Sequence, residues 1–226
     1  MFTPELTQGV FIEEIKNRFL CLIDVNGVDT LCYIPSSCRL SNFIDLKGKK
    51  VLLVPTTSKN ARTKYSVFAV EANGRPIPLN MSLGNLIVYD SIKNKRFSFL
   101  GKRSVIHKEY TIGAYKCDAF IEDTSTIIEI KSFLSFSAEA VFPTVFSQRA
   151  VDQLKEIEQL LERGYSACYI LVSLNSVVKR VFINQEFDEY YSQLRHCLEK
   201  GMLIKGLSLR LADGTASINR QINVVI

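Results

Sequence analysis

The stretch Asp118-Ala-Phe-Ile-Glu-Asp-Thr-Ser-Thr-Ile-Ile-Glu129-Ile-Lys131 holds the residue types best suited to chemistry. Side chains alternate along a strand, so Glu129 and Lys131 share one face while Ile128 and Ile130 take the other. Residues 122–125 supply turn-forming types. A hairpin symmetric about that turn pairs Ile121 with Thr126 and, counting outward, sets Asp118 against Glu129. Cross-strand neighbours hold their Cβ atoms about 5 Å apart. Two carboxylates held so close repel each other unless a cation sits between them, and a hard divalent ion such as Mg2+ suits carboxylate oxygens. Lys131, one pleat along, can orient an attacking water or stabilise charge developing on a phosphate. The set therefore predicts a metal-dependent phosphodiesterase site. The competing reading is a solvent-facing strand edge on which Glu129 and Lys131 form a weak surface pair. Glu and Lys are both unusual inside an apolar strand, which favours the functional reading.

Two further segments are basic and aromatic. Lys93 to Lys108 holds six Lys or Arg residues, Lys102 and Arg103 among them, and no acid. Phe97 and Phe99 interleave. Such charge density suits sequence-independent phosphate binding, and aromatic rings can stack bases. A solvated loop anchored by two phenylalanines fits the same pattern. Lys59-Asn-Ala-Arg62-Thr-Lys64-Tyr65 is the second cluster. His107 adjoins Glu109 and His196 falls in a helical stretch, with no Ser/His/Asp or Cys/His pattern around either. Neither a G-x-G-x-x-G nor a Walker-type loop occurs, which argues against a nucleotide-fuelled enzyme.

Around these residues lies a chain of 226 residues, 47% hydrophobic and 23% charged, enough for one large domain or two small ones. That composition excludes disorder, collagen and coiled coil as the main architecture. The net charge of +5 permits an acidic partner without requiring one. No apolar run reaches the roughly 18 residues of a membrane span, and the acid-containing start does not resemble a signal peptide. The six cysteines are scattered without a C-x-x-C pair, as expected of small buried hydrophobes in a reducing compartment. A cytoplasmic protein that avoids membranes is the expectation.

The elements that must position the chemistry fall in two halves. Gly9–Ile15, Phe19–Val25, Val28–Ile34, Lys49–Val54 and Tyr65–Ala72 read as short strands, with Asn26-Gly27 a strong hairpin turn and Asn73-Gly74 turning the chain into Arg75–Pro78. Five short strands in about 80 residues predict a small barrel such as an OB-fold. The pattern changes at residues 80–85, where a domain boundary is expected. Ser82 can cap a helix reaching Ile92. Strands follow around Lys116–Ile121 and Ile127–Phe133, then a helix over Ser147–Arg163 ended by Gly164. Ala167–Val172 reads as a buried strand. Val181–Ile183 is a strand, Glu186–Glu199 a helix and Leu203–Leu211 a strand. Ala212–Ile226 reads as a turn plus one short strand. This half mixes strands and helices around a central sheet.

Several motifs together resemble the sugar fermentation stimulation protein A family across residues 10–211. Asn17-Arg18-Phe19 is similar to its N-R-F element and Arg62-Thr63-Lys64-Tyr65 to its R-K/T-K-Y element. Gly84-Asn85-Leu86 resembles its linker helix. Lys108-Glu109 followed by Tyr115 to Phe120 resembles R-E-V … S-R-I-D-F, and Ile128-Glu129-Ile130-Lys131-Ser132 resembles V-E-V-K-S. Phe142-Pro143 and Arg149 with Leu154 resemble its F-P … R-G … L block. The resemblance implies an α+β chain: a five-stranded OB-like nucleic-acid-binding barrel over residues 1–81, then a PD-(D/E)xK nuclease-like domain over 82–226 with a mixed sheet flanked by helices. By position it makes Asp118 and Glu129 ligands of Mg2+ or Mn2+, Lys131 the catalytic lysine and Glu109 an extra acid. It implies contact with DNA or RNA, and with the basic segments it nominates Arg18, Arg39, Arg62, Lys64, Lys102, Arg103, Lys116 and Arg149. The chain departs from the family pattern at Thr144, Asp152 and Gln153, where the family carries Asp, Lys and His. A catalytically silent DNA-binding or regulatory module of the same fold is therefore the second expectation.

Overall fold

The computed structural model describes residues 6–15, 19–35, 40–42, 44–56, 61–72, 74–212 and 214–226. The first half contains β1 (Thr7–Glu14), β2 (Leu20–Val25), β3 (Val28–Tyr33), β4 (Lys50–Pro55), β5 (Tyr65–Ala72) and β6 (Arg75–Pro78). β1 pairs antiparallel with β2 and β4, β2 with β3, and β4 with β5; a parallel β3–β5 pairing closes the ring. This is the five-stranded OB-like barrel, with β6 appended to β5. Asn26 and Gly27 both take positive φ, the conformation the tight β2–β3 turn requires. Register shifts in β1 and β4 bend those strands around the small core of Phe11, Ile23, Val51 and Val67.

The second half runs α1 (Ser82–Lys93), β7 (Ile106–Lys108), β8 (Thr111–Ile112), β9 (Tyr115–Lys116), β10 (Ala119–Ile121), β11 (Thr126–Phe133), β12 (Glu139–Phe142), α2 (Gln148–Glu162), β13 (Ser166–Ser173), β14 (Arg180–Ile183), α3 (Asp188–Glu199), β15 (Leu203–Ala212) and β16 (Thr215–Val225). Eight strands form one mixed sheet in the order β12-β14-β16-β15-β13-β11-β10-β7. Residues of β11 alternate between two cores. Ile128 and Ile130 join α1 and the barrel, so the apolar core runs unbroken across the change of pattern at residues 80–85. Ile127 and Phe133 join α2 and α3 on the opposite face. β11 lies between β10 and β13, and Glu129 is only 3% exposed, which overturns the solvent-facing-edge reading.

Several boundaries differ from the sequence reading for physical reasons. Asn80, not Ser82, bonds the start of α1, its Oδ1 accepting from Ser82 N at 3.0 Å; Ser82 is already helical. The expected strand over Lys116–Ile121 breaks at Cys117-Asp118 into β9 and β10. The tail is not a short strand. β16 has 11 residues, pairs antiparallel with β15 and parallel with β14, and knits the two ends of the sheet together. Only Ile222 of that strand is buried, so its apolar alternation is too faint to read. α2 starts where expected, with Ser147 Oγ accepting from Ala150 N at 3.4 Å, and ends before Gly164 at φ 87°. No described helix is long and apolar enough to cross a membrane.

Candidate active site

The β10–β11 hairpin has the register that symmetry predicts: Ile121 opposite Thr126, Phe120 opposite Ile127, Ala119 opposite Ile128. Asp118 therefore stands one step beyond the end of β10, at the position facing Glu129. Its carboxylate caps the ladder where β10 stops: Oδ2 accepts from Ile130 N at 2.7 Å. Oδ1 accepts from Asn85 Nδ2 at 3.0 Å. Asn85 reaches Asp118 because α1 lies hard against β11. A methyl at Gly84 would overlap Ser132 Oγ, so glycine permits that approach.

Glu129 is gripped from both sides. Its Oε2 accepts from the Tyr115 hydroxyl at 2.6 Å and its Oε1 from Lys131 Nζ at 2.7 Å. Lys131 Nζ also donates to Gln153 Oε1 on α2 at 2.6 Å. Asp118, Glu129 and Lys131 open together into a cleft of about 500 Å³. The N-terminal turns of α1 and α2 and the segment 142–146 wall it, with Arg149 exposed at its rim.

Burial pushes the Asp118 carboxyl up to about 6, and the negative charge of Glu129 adds to the rise; the Ile130 N–H and the Lys131 ammonium pull the other way. Burial and the Glu129 charge push the Tyr115 phenol far up, so it stays a hydrogen-bond donor to that carboxylate. The same two causes push the Cys117 thiol up to about 11, which makes it a poor nucleophile. The five described cysteines are free and buried, as the scattered pattern predicted.

The other nominated residues scatter. Glu109 does not line the cleft. Its exposed side chain pairs with Lys116 at 2.6 Å, and that cation lowers its pKa. Among the described residues no group of three or more His, Cys, Asp or Glu can hold a metal, so the cation-ligand candidates are the two carboxylates alone. Arg103 is buried and donates to the carbonyls of Ile92 at 3.2 Å and Gly101 at 2.6 Å, which removes it from the accessible surface. Lys102 is exposed, 3.9 Å from Asp123. Arg62 is exposed, and Lys64 lies 5.2 Å from the Tyr65 ring. Arg18, Arg39 and Lys59 lie outside the described residues. Phe97 is buried and stacks on Phe99, so these rings anchor the segment rather than present free faces.

Sequence reasoning missed three residues of the site. Asn85 had a signal in the Gly84-Asn85 pair, since a glycine that lets a helix touch a strand also brings its neighbour close. Tyr115 and Gln153 had none, because each meets its partner only through tertiary packing.

An OB-like barrel packed on a mixed sheet, whose central hairpin presents two carboxylates and a lysine to one cleft, defines a two-part α+β architecture with one candidate site. A profile described as the SfsA N-terminal OB domain matches residues 15–79, and one described as the sugar fermentation stimulation protein RE domain matches residues 82–214. The chain belongs to this family. A sugar fermentation stimulation protein homolog of Caldanaerobacter subterraneus subsp. tengcongensis is 26% identical over 225 residues, covering 98% of this chain and 97% of that protein. A homolog from Saccharolobus solfataricus is 29% identical over 192 residues, covering 84% and 73%. The fold is that of Pyrococcus furiosus SfsA, solved in complex with Ca2+, at a TM-score of 0.83 and 21% identity over 98% of this chain and 96% of that one.

Proposed function

We propose that this protein binds nucleic acid and hydrolyses phosphodiester bonds with Mg2+ or Mn2+ in the Asp118–Glu129–Lys131 cleft. The observation that carries the reading is the convergence of two buried carboxylates in one cleft, where burial first and the Glu129 charge second push the Asp118 carboxyl up to about 6. A hard cation relieves that repulsion, and Mg2+ commonly binds through one or two carboxylates while keeping several waters. The donor set fits such an ion. The Ca2+ complex of the similar Pyrococcus furiosus protein supports a cation here too. Asp118 and Glu129 would hold it; when bound, it supplies water activation and neutralisation of phosphoryl charge. Asn85 and the Ile130 N–H keep Asp118 aimed, as Tyr115 keeps Glu129. Lys131 has three donors and spends two on Glu129 and Gln153, which leaves one for a phosphoryl oxygen. Arg149 at the rim meets a flanking phosphate. A reducing compartment such as the cytoplasm suits the buried thiols.

The test is cleavage of labelled DNA and RNA in Mg2+, Mn2+ or EDTA. Asp118→Ala and Lys131→Ala should each lower the rate by roughly 10²-fold or more while circular dichroism stays native. Wild-type rates in both variants would refute the assignment. One observation favours a silent binding module instead: every oxygen of both carboxylates already has a partner within the protein. In that case nucleic acid binds without divalent ions, and its affinity falls steeply with salt.

A further inference from the structure

We propose that the cavity between the barrel and the far ends of β13, β15 and β16 is a second phosphate-holding site, reached by the same nucleic-acid strand that enters the carboxylate cleft. The inference rests on the reading above and adds a path for the strand. The cavity measures about 350 Å³ and is lined by Arg75 and Arg210 with Pro76, Asn175, Leu211 and Asn219 among its walls. Among the described residues no carboxylate lines it. Both arginines are exposed, and neither is in an ion pair among the described residues. Arg210 Nε makes only a long bond, 3.4 Å, to Ser217 Oγ. The polar walls are already committed: Asn175 Nδ2 donates to Ser135 O at 2.8 Å and Asn219 Nδ2 to Ser208 Oγ at 3.2 Å. Two guanidinium forks are left facing solvent with charge to neutralise, a donor geometry that matches phosphate oxygens.

Position links the two sites. β11 and β13 run parallel and end together, Phe133 beside Ser173, and Leu174 N donates to Phe133 O at 3.1 Å. Phe133 lines the carboxylate cleft while Leu174 lines the arginine cavity. Both openings thus sit on the carboxyl edge of the parallel strands, where open sheets receive ligands. Strands lie about 4.8 Å apart and rise about 3.3 Å per residue. Glu129 stands beside Tyr169 and Tyr169 beside Ile204, so Arg210, further along β15, is roughly 20 Å along the sheet and roughly 10 Å across from the carboxylates. A strand carrying one phosphate per about 3.4 Å of helix rise spans that in roughly seven nucleotides, within reach of a 12-mer and beyond a 3-mer. Arg75 comes from the barrel and Arg210 from the sheet, so one phosphate would engage both halves of the chain.

The experiment measures binding of fluorescein-labelled single-stranded oligonucleotides, three and twelve nucleotides long, across a salt series. The full chain carries Asp118→Asn so that nothing is cut. Adding Arg75→Ala and Arg210→Ala should flatten the log–log salt slope for the 12-mer by about 0.7, the share of one phosphate on a single strand. Affinity for the 12-mer should fall roughly tenfold, that for the 3-mer should not change, and Arg75→Lys with Arg210→Lys should restore most of the slope. An unchanged slope for the 12-mer, or an equal loss for the 3-mer, overturns the second site and leaves the cleft reading intact. Failure of the arginine-bearing protein to bind either oligonucleotide overturns both.

Discussion

The carboxylate cleft and the basic segment Lys93–Lys108 both stand out in the sequence by their charge, and the fold treats them in opposite ways. In the cleft, Asp118, Glu129 and Lys131 converge from one hairpin, held by Asn85, Tyr115 and Gln153 from three other elements. In the basic segment the charges disperse. Arg103 is consumed by two backbone carbonyls, Lys93 and Lys108 lie over the Tyr89 ring, and Lys102 approaches Asp123. Density of charge along a chain therefore does not equal density of charge at a site. What distinguishes the cleft is that side chains with opposing demands share one buried space.

That contrast can be broken by mutation. The largest effect is expected for Lys131→Met, which strands the buried Glu129 beside Asp118 without its ammonium. It should cost about 3–4 kcal/mol, read as a lower urea midpoint, and Mg2+ should recover part of the loss. Lys102→Ala, at an 81% exposed side chain, should leave the midpoint unchanged.

Arg103→Ala comes next. It orphans the carbonyls of Ile92 and Gly101 and should cost about 2 kcal/mol. The salt slope of oligonucleotide binding should stay at its original value, because this cation is not available to a phosphate. A flattened slope would mean that Arg103 is reached by ligand after all.

A third expected effect is a pH dependence confined to the cleft. The Asp118 carboxyl titrates near 6 in the folded chain against 3.8 as its ordinary value. Between those values the folded state binds more protons than the unfolded one, so this group adds stability as pH falls from 7 to 4, about 2 kcal/mol in all. The contribution is lost as pH rises through 6. Urea midpoints taken across that window should show the slope in the parent chain and not in Asp118→Asn, and saturating Mg2+ should flatten it by taking the proton's place. The smallest effect is expected from Gly84→Ala. It forces α1 from β11 against Ser132 Oγ, costs about 1–2 kcal/mol, and lifts Asn85 away from Asp118. Cleavage should then fall more than the modest loss of stability explains.

Much of this was legible in the chain itself. The Asn26-Gly27 turn, the short barrel strands and the amphipathic α2 are local signals, and local signals survive being read one segment at a time. The hairpin register came from the turn residues at 122–125 alone, because strand pairing has a period of two and a fixed centre. β16 was underread because its 11 residues bury only Ile222, so no alternation announces it. Arg103 was misread because burial of a cation depends on carbonyls that α1 and the following loop bring to it, not on its neighbours in sequence.

Sequence alone determined which side chains of the hairpin share a face and that Asp118, one step beyond β10, stands across from Glu129. That follows from the geometry of an extended backbone, which needs no partner to define it. Only the tertiary structure decided that this face is sunk in a cleft, that Tyr115, Asn85 and Gln153 fix the three charges, and that Glu109 turns away to Lys116. Those outcomes depend on where helices and distant strands come to rest. Burial, which raises the Asp118 carboxyl, is a property of the packed whole and of no segment taken singly.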